Sequence, residues 1–242
     1  MPEYADPLSS RGVDGGMVDG GRHESASFPL AALPLAALPQ AALPLDVTAA
    51  LVGTYRWIES ALHAALGSWV RHVPLPAVQV HLDGQSMRHA WHAELWAERL
   101  PVLRDVDPDA LTVPSPASAA LFAMLNGDSG PDGDAPEAGP PGVLPLLAGL
   151  YRVALPRLVT TYGRHLDLMA PVADAPLRRT LRQVLADEVE DLLVGERLVE
   201  RLLARPHDVE AVHDFTRRLE TAVVAVGGGP GLVALPVRVP GE

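Results

Sequence analysis

The stretch LRRTLRQVLADEVEDLLVGERLVERL, residues 177–202, carries the clearest helical pattern in the chain. Its apolar positions recur at steps of four and three, so they line a single helix face. Glu188 and Asp191 stand on that face, where apolar side chains are expected. Carboxylates in such a place are costly unless they are paired, protonated or bound to a metal. The stretch therefore predicts a core-facing helix that carries a buried polar site.

A second segment, MRHAWHAELW at residues 87–96, shows the same departure from an apolar pattern. His89 and His92 are three positions apart, as are the two carboxylates of the first stretch, so each pair points from one helix face. Glu59 lies further upstream, in a helical stripe of its own. We therefore expect a carboxylate, two histidines and two further carboxylates to converge in the core of a helical bundle.

The rest of the pattern predicts further helices that are separated by proline-rich or glycine-rich connections. Pro156 is expected to kink the third long helix, and Asp174 is expected to cap the fourth. The predicted helices cover about residues 47–70, 77–99, 117–125, 143–169, 175–202 and 208–226. Because more than forty residues separate the second long helix from the third, the pattern describes an all-α four-helix bundle with one long crossover and an extra C-terminal helix.

The composition changes on either side of this bundle, which is expected to occupy residues 46–230. A Gly/Ser/Asp-rich start predicts disorder, and prolines at every fifth position from 29 to 44 then predict an extended Pro/Leu arm. The arm, residues 1–45, either packs on a groove or is a low-complexity linker. Within the bundle residues 127–142 are expected to form a flexible loop, and residues 231–242 a short tail.

The overall composition limits which binding partners and which cellular compartment we expect for the protein. The formal net charge of −11 argues against a nucleic-acid or anionic-membrane partner, because both need a basic face. With no cysteine, a metal would have to be bound by histidines and carboxylates. The sequence predicts no membrane span and no signal peptide, and therefore a cytoplasmic protein. Every basic side chain is arginine, a bias that suggests a GC-rich, actinobacterial source.

The two polar segments resemble those of the ferritin-like di-iron carboxylate superfamily. In that superfamily two helices each carry a Glu, and the other two each carry Glu-x-x-His. Residues 91–95, WHAEL, are similar to the family's second-helix segment, in which the metal-binding His is followed by Ala-Glu. Residues 185–188, LADE, and 195–198, GERL, are similar to its fourth-helix segment. The residues that match the family's ligand types are Glu59, His92 and Glu188.

The chain also departs from the family's ligand set. His89 replaces the second-helix Glu, and Asp191 replaces the fourth-helix His. The third helix offers Tyr162 or His165 in place of a Glu. Such an exchanged set could hold one or two iron or manganese ions, and a metal-free polar cavity is an equal alternative. The candidate metal ligands are Glu59, His89, His92, His165, Glu188 and Asp191, and the candidate catalytic residues are Glu188, His92 and Tyr162.

The carboxylates also have a purely structural interpretation, in which arginines neutralise them. Glu59 would then pair with Arg56 or Arg88, and the two carboxylates of the fourth helix would pair with Arg179 or Arg182. A single histidine in a helical stripe is also more often a structural residue than a metal ligand. In this interpretation His89 and His92 lie on a solvated helix face, or His92 hydrogen-bonds Glu188 across the core.

Three functional hypotheses follow. The first is a small-molecule tailoring enzyme of actinobacterial specialised metabolism, whose iron or manganese performs O₂-dependent oxidation or hydroxylation, as the resemblance implies. The second is a metal-free acid–base enzyme for an elimination, cyclisation or isomerisation, with a buried carboxylate or His92, oriented by Glu188, as general base. The third is a non-catalytic helical subunit whose Pro/Leu arm docks on a partner protein, and a homodimer is also open.

Overall fold

The computed structural model describes residues 42–127 and 142–236, and these residues form helices and turns without any strand. The predicted all-α class is therefore confirmed for the described part of the chain. The expected disordered start lies outside the described residues, as do nearly all of the Pro/Leu arm and most of the loop at 127–142. The last part of the predicted tail, residues 237–242, also lies outside them.

Six helices follow one another in the described residues, and we label them α1 to α6 in chain order. They are α1 Leu45–Val70, α2 Pro76–Arg99, α3 Pro116–Leu125, α4 Val143–Leu168, α5 Ala175–Leu202 and α6 Pro206–Ala225. A short 3₁₀ turn, Pro108–Leu111, lies between α2 and α3. Each helix begins and ends within about two residues of its predicted position, as expected for boundaries inferred from sequence.

Prolines begin most of these helices, because a proline in the first turn lacks only an N–H that has no helical partner. The prediction that Asp174 caps α5 is wrong, since its side chain makes no hydrogen bond with the first turn. Its Oδ2 instead accepts from the N–H of Ala170, at 2.7 Å. Asp174 therefore closes the turn between α4 and α5.

The helix α4 changes its winding in the middle. It is α-helical over Val143–Gly149, forms a π-helical turn at Leu150–Ala154 and is α-helical again over Leu155–Leu168. Pro156 lies two residues after the end of the π turn, so the distortion expected at this proline takes the form of a wider turn before it. A π turn rotates the residues that follow it around the helix axis, and Tyr162 and His165 are both buried in the segment beyond it.

The same helix is long and apolar enough to cross a bilayer, judged by length and composition alone. Half of its most apolar window is buried against the rest of the protein. Core helices of bundles that never enter a membrane pass the same test, so this single helix is weak evidence for a membrane location.

The helices pack in neighbouring pairs that leave a common interior. The helix α1 packs along α2, α4 packs along α5, and α2 also contacts α5. The helix α6 covers α3 and the first half of α4. The inner faces of α1, α2, α4 and α5 are lined by buried apolar side chains, so any polar group on those faces is shielded from water.

Gly195 on α5 permits one unusually close contact, with the ring of Tyr151 in the π turn of α4. A Cβ at position 195 would lie 2.0 Å from two carbons of that ring. We therefore expect Gly195→Ala to lower the free energy of unfolding by roughly 1–3 kcal/mol through overpacking, measured by urea denaturation. Gly163→Ala is the matched control, because nothing lies within 4 Å of its Cβ, and it should be neutral or stabilising. A Gly195→Ala protein as stable as the wild type would contradict the contact.

Candidate functional site

Four ionisable side chains from three helices meet in the core. One potential ligand atom from each lies within 4.8 Å of the other three, and all four side chains are fully buried. The members of this four-residue cluster are Glu59 on α1, His89 and His92 on α2, and Glu188 on α5. The structure thus brings together four of the six residues that the sequence predicts as metal ligands.

The two histidines present the same ring nitrogen to the two carboxylates. His89 Nδ1 is 2.7 Å from Glu59 Oε2 and 3.2 Å from Glu188 Oε1. His92 Nδ1 is 3.2 Å from the same Glu188 oxygen and 3.5 Å from Glu59 Oε2. Two nitrogens and two oxygens therefore surround one small volume and could hold a single metal ion.

Neighbouring side chains form polar contacts with three of the four cluster residues, through atoms that do not face the centre of the cluster. Tyr162 donates its hydroxyl hydrogen to Glu59 Oε1 at 2.6 Å, and Asp187 Oδ2 lies 3.1 Å from His92 Nε2. Gln85 Nε2 lies 3.4 Å from His89 Nε2. The fourth residue, Glu188, has no such neighbour: its second carboxylate oxygen, Oε2, is buried and has no hydrogen-bond partner in the described part of the protein.

The cluster balances its own charges despite its burial. Burial acts to raise the pKa of Glu59, but hydrogen bonds and attraction from His89 and His92 outweigh it and lower that pKa to about 2. Burial acts to lower the histidine pKa values, but Glu188 and Glu59 raise them to about 10 for His89 and about 11 for His92. Proton-bearing histidines therefore neutralise the carboxylates when nothing else occupies the centre.

The two candidate residues of α4 lie in different surroundings. Tyr162 contacts the cluster through Glu59, and burial raises the pKa of its phenol, so it remains a neutral donor. His165 is not in the four-residue cluster. Its Nδ1 lies 3.0 Å from the hydroxyl of Tyr55, and burial lowers its pKa to about 4. The neutral ring of His165 thus accepts a hydrogen bond from Tyr55.

Asp191, the sixth predicted ligand, also lies apart from the cluster. Its carboxylate forms a two-pronged ion pair with Arg88, in which Arg88 Nε donates to Asp191 Oδ2 at 3.0 Å. The structural interpretation is therefore correct for this residue, although the partner is Arg88 rather than an arginine of α5. The structural interpretation does not hold for Glu59. Of its two expected partners, Arg88 pairs with Asp191 and Arg56 pairs with Asp109, at 2.9 Å.

The acid stability of the metal-free protein should report the burial of His165. Because its folded pKa of about 4 lies below its ordinary 6.5, the unfolded chain takes up this proton first. Above pH 6.5 the ring is neutral in both states, and its burial does not reduce the free energy of unfolding. As the pH falls from 6.5 towards 4, protonation of His165 in the unfolded chain lowers that free energy by about 3 kcal/mol in all. In urea denaturation, His165→Gln, which keeps an acceptor for Tyr55, should lose less stability than the wild type between pH 7 and 4.5. Equal losses would contradict the assignment.

The cluster lies one side chain beneath the surface on the side of α2 and α5. Asp187 is 31% exposed and Trp91 is 42% exposed, and both contact His92. A separate cavity of about 650 Å³ lies between α3, α4 and the segment after α6, and its lining includes none of the four cluster residues. A small molecule that reached the cluster would therefore approach past Asp187 and Trp91.

Comparisons with protein-family models, with curated proteins and with solved structures found no match to this chain. Its chemistry therefore has to be inferred from the site itself. Asp187 is the site residue that the sequence reasoning missed. It precedes Glu188 and so lies about 100° away from the core-facing stripe, and only its sequence position beside a buried carboxylate could have drawn attention to it.

Proposed function

We propose that the chain binds one iron or manganese ion in the four-residue cluster and uses it in the oxidation of a small molecule. The observation that carries the proposal is the meeting of two histidine nitrogens and two carboxylate oxygens within 4.8 Å in the core. Imidazole and carboxylate ligands together suit iron and manganese, and two-histidine sites with a carboxylate are typical of non-haem iron oxygenases. Four protein ligands also leave coordination positions open for a substrate.

Two features of the cluster support its fit to a metal ion. The Oε2 atom of Glu188 is buried without a partner, which is costly for a carboxylate unless an ion or water meets it. The carboxylate of Asp187 holds His92 by its Nε2 atom, as outer carboxylates commonly hold metal-binding histidines. Two neutral imidazoles, two carboxylates and one divalent cation would also sum to zero charge.

The arrangement of the helices supports a ferritin-like bundle with a divergent site. Ligands come from α1, α2 and α5, and the long connection between α2 and α4 fits the single crossover of that architecture. The fourth wall, α4, supplies Tyr162, which hydrogen-bonds Glu59 instead of adding a carboxylate. Since the cluster has two carboxylates where the two-metal sites of that architecture have four, we propose one ion in each chain.

The chain's own residues would orient and shield the reacting centre. When bound, iron or manganese supplies one-electron chemistry with dioxygen. Tyr162 fixes the orientation of Glu59, and Asp187 fixes that of His92. The fully buried side chains of the cluster exclude bulk water, which would limit side reactions at a bound metal.

Reaction of the iron-loaded protein with dioxygen tests the redox part of this proposal. Protein loaded with Fe(II) without oxygen, freed of excess iron and then exposed to air should consume O₂ and develop Fe(III) absorbance. Glu188→Gln/His92→Asn should consume O₂ no faster than buffer with the same iron. Glu190→Gln/His213→Asn changes exposed residues of the same types, so it should match the wild type. Wild-type protein that retains Fe(II) unchanged in air would overturn the oxidative function.

One observation favours a metal-free acid–base enzyme as the second candidate. Each histidine is already hydrogen-bonded to a cluster carboxylate, so the charges balance without an ion. His92, oriented by Glu188 and Asp187, could then exchange protons with a substrate for an elimination, cyclisation or isomerisation. A protein that takes up neither iron nor manganese, and is equally stable with and without chelator, would favour this function over the first.

A further inference from the structure

A line of hydrogen bonds leads from the cluster along α2 towards the surface. His89, Gln85 and His81 follow one another at steps of four, so they share one helix face. Tyr151 of α4 joins them: its hydroxyl donates to Gln85 Oε1 at 2.6 Å and lies 3.1 Å from His81 Nε2. Gln85 Nε2 in turn lies 3.4 Å from His89 Nε2. The line begins at the fully buried ring of His89 and ends at the partly buried His81.

Two uncommon features of the fold place Tyr151 in this line. The residue lies in the π turn Leu150–Ala154, and such turns are rare and concentrate at functional sites. Its ring packs directly on Gly195, where any larger residue would collide with it. Burial raises the pKa of the Tyr151 phenol, so the hydroxyl stays neutral and able both to donate and to accept.

We propose that Gln85, supported by Tyr151 and His81, is the positioning residue that fixes the metal-binding tautomer of His89. This inference rests on the proposed metal site. A metal ion on Nδ1 of His89 requires the ring proton to be on Nε2, and a buried N–H needs an acceptor. Within the described residues, Gln85 supplies the only polar contact of His89 Nε2. With a metal bound, the Gln85 amide would turn so that its oxygen, which now accepts from Tyr151, accepts from this N–H instead.

The donors and acceptors along this line can all exchange roles if the Gln85 amide turns over, which swaps the positions of its oxygen and nitrogen and moves no other heavy atom. With the Gln85 nitrogen towards His89, the amide can donate only to a ring whose Nε2 carries no proton, so this orientation does not fit the imidazolium form of His89 described above. When the amide turns over, its oxygen accepts from Nε2–H, and its N–H donates to the Tyr151 hydroxyl. Tyr151 then donates to His81 Nε2, which can accept because burial lowers the pKa of His81 and keeps it neutral.

The two histidines of the cluster are therefore held in different ways. His92 Nε2 lies 3.1 Å from a carboxylate oxygen of Asp187, which serves as an acceptor for a proton on Nε2, and its Nδ1 faces the centre. His89 faces an amide that can donate or accept. A substitution at Gln85 is therefore expected to alter metal binding without removing a ligand.

Metal affinity in Gln85 variants tests this role. Gln85→Met has nearly the same size but no acceptor, and we expect it to bind Zn(II) and Mn(II) about 10–100-fold more weakly in chelator competition. Gln85→Glu offers only acceptors and should bind as tightly as the wild type or more tightly. Gln79→Met, which changes another glutamine of α2 that contacts only backbone, is the matched control and should retain wild-type affinity.

A ring-proton signal separates positioning from a general loss of structure. In Zn(II)-loaded protein with ¹⁵N-labelled histidine, the Nε2–H of His89 should appear as a protected NMR signal, and it should be lost in Gln85→Met. Tyr151→Phe removes only a hydroxyl, so it should fold like the wild type and show a weaker, faster-exchanging signal. Unchanged affinity and an unchanged signal in both variants would overturn this inference alone. A wild-type chain that binds no metal would instead overturn the proposed function, and this inference with it.

Discussion

Glu188→Gln/His92→Asn is expected to weaken Fe(II) and Mn(II) binding by on the order of 100-fold or more, since loss of an outer hydrogen bond alone commonly costs 10–100-fold. Both changes remove ligand atoms that lie within the 4.8 Å cluster while nearly keeping side-chain size. Affinity is measured by anaerobic titration against a competing chelator, with circular dichroism to verify the fold. Equal affinity in the folded double variant would place the metal elsewhere.

The matched control for this result is Glu190→Gln/His213→Asn. It makes the same two chemical changes at exposed positions of α5 and α6 and leaves the cluster intact. We expect its metal affinity to equal that of the wild type. A loss as large as that of the cluster variant would mean that metal uptake does not depend specifically on the cluster.

Glu59→Ala is expected to lower the free energy of unfolding of the metal-free protein by about 3–5 kcal/mol, the usual cost of removing one partner from a buried ion pair. Glu59 accepts hydrogen bonds from Tyr162 and His89, both fully buried, and its loss leaves a phenol and an imidazolium without an acceptor. Because the carboxylate is also a ligand, the same variant should gain little stability from added Mn(II). Urea denaturation with and without the ion measures both effects.

Glu196→Ala provides the comparison for that stability measurement. Glu196 pairs with Arg152 through hydrogen bonds of 2.7–3.1 Å, but both side chains are about one-third exposed. Exposed pairs of this kind contribute less than about 1 kcal/mol, so the variant should unfold almost as the wild type does. If Glu59→Ala behaved the same way, the cluster would not be an ion-paired core.

The helices were predictable because their apolar residues repeat at helical spacing and their ends carry prolines. In α5 the stripe that contains Glu188 is buried as expected, and α4 is buried along Tyr162 and His165. The π turn was not predictable, because one extra residue in a turn hardly changes an apolar pattern in which most positions are already hydrophobic. Its position before Pro156 was the only local signal.

The site was partly predictable for a similar reason. Ionisable residues on an apolar stripe identified Glu59, His89, His92 and Glu188, since a buried charge needs a partner whichever helix supplies it. Sequence spacing could not show that Asp191 is met by Arg88, because that depends on how far a long side chain reaches between helices. The spacing also could not distinguish a residue that hydrogen-bonds the cluster, such as Tyr162, from residues whose hydrogen-bond partners lie outside it.

Metal content is the most direct test of the central claim. Untagged protein is purified without chelators, loaded with Fe(II) or Mn(II) under anaerobic conditions, separated from free metal and subjected to elemental analysis. We expect close to one iron or manganese ion per chain, and almost none in the Glu188→Gln/His92→Asn protein. A folded wild-type chain that retains no metal under these conditions would contradict this expectation.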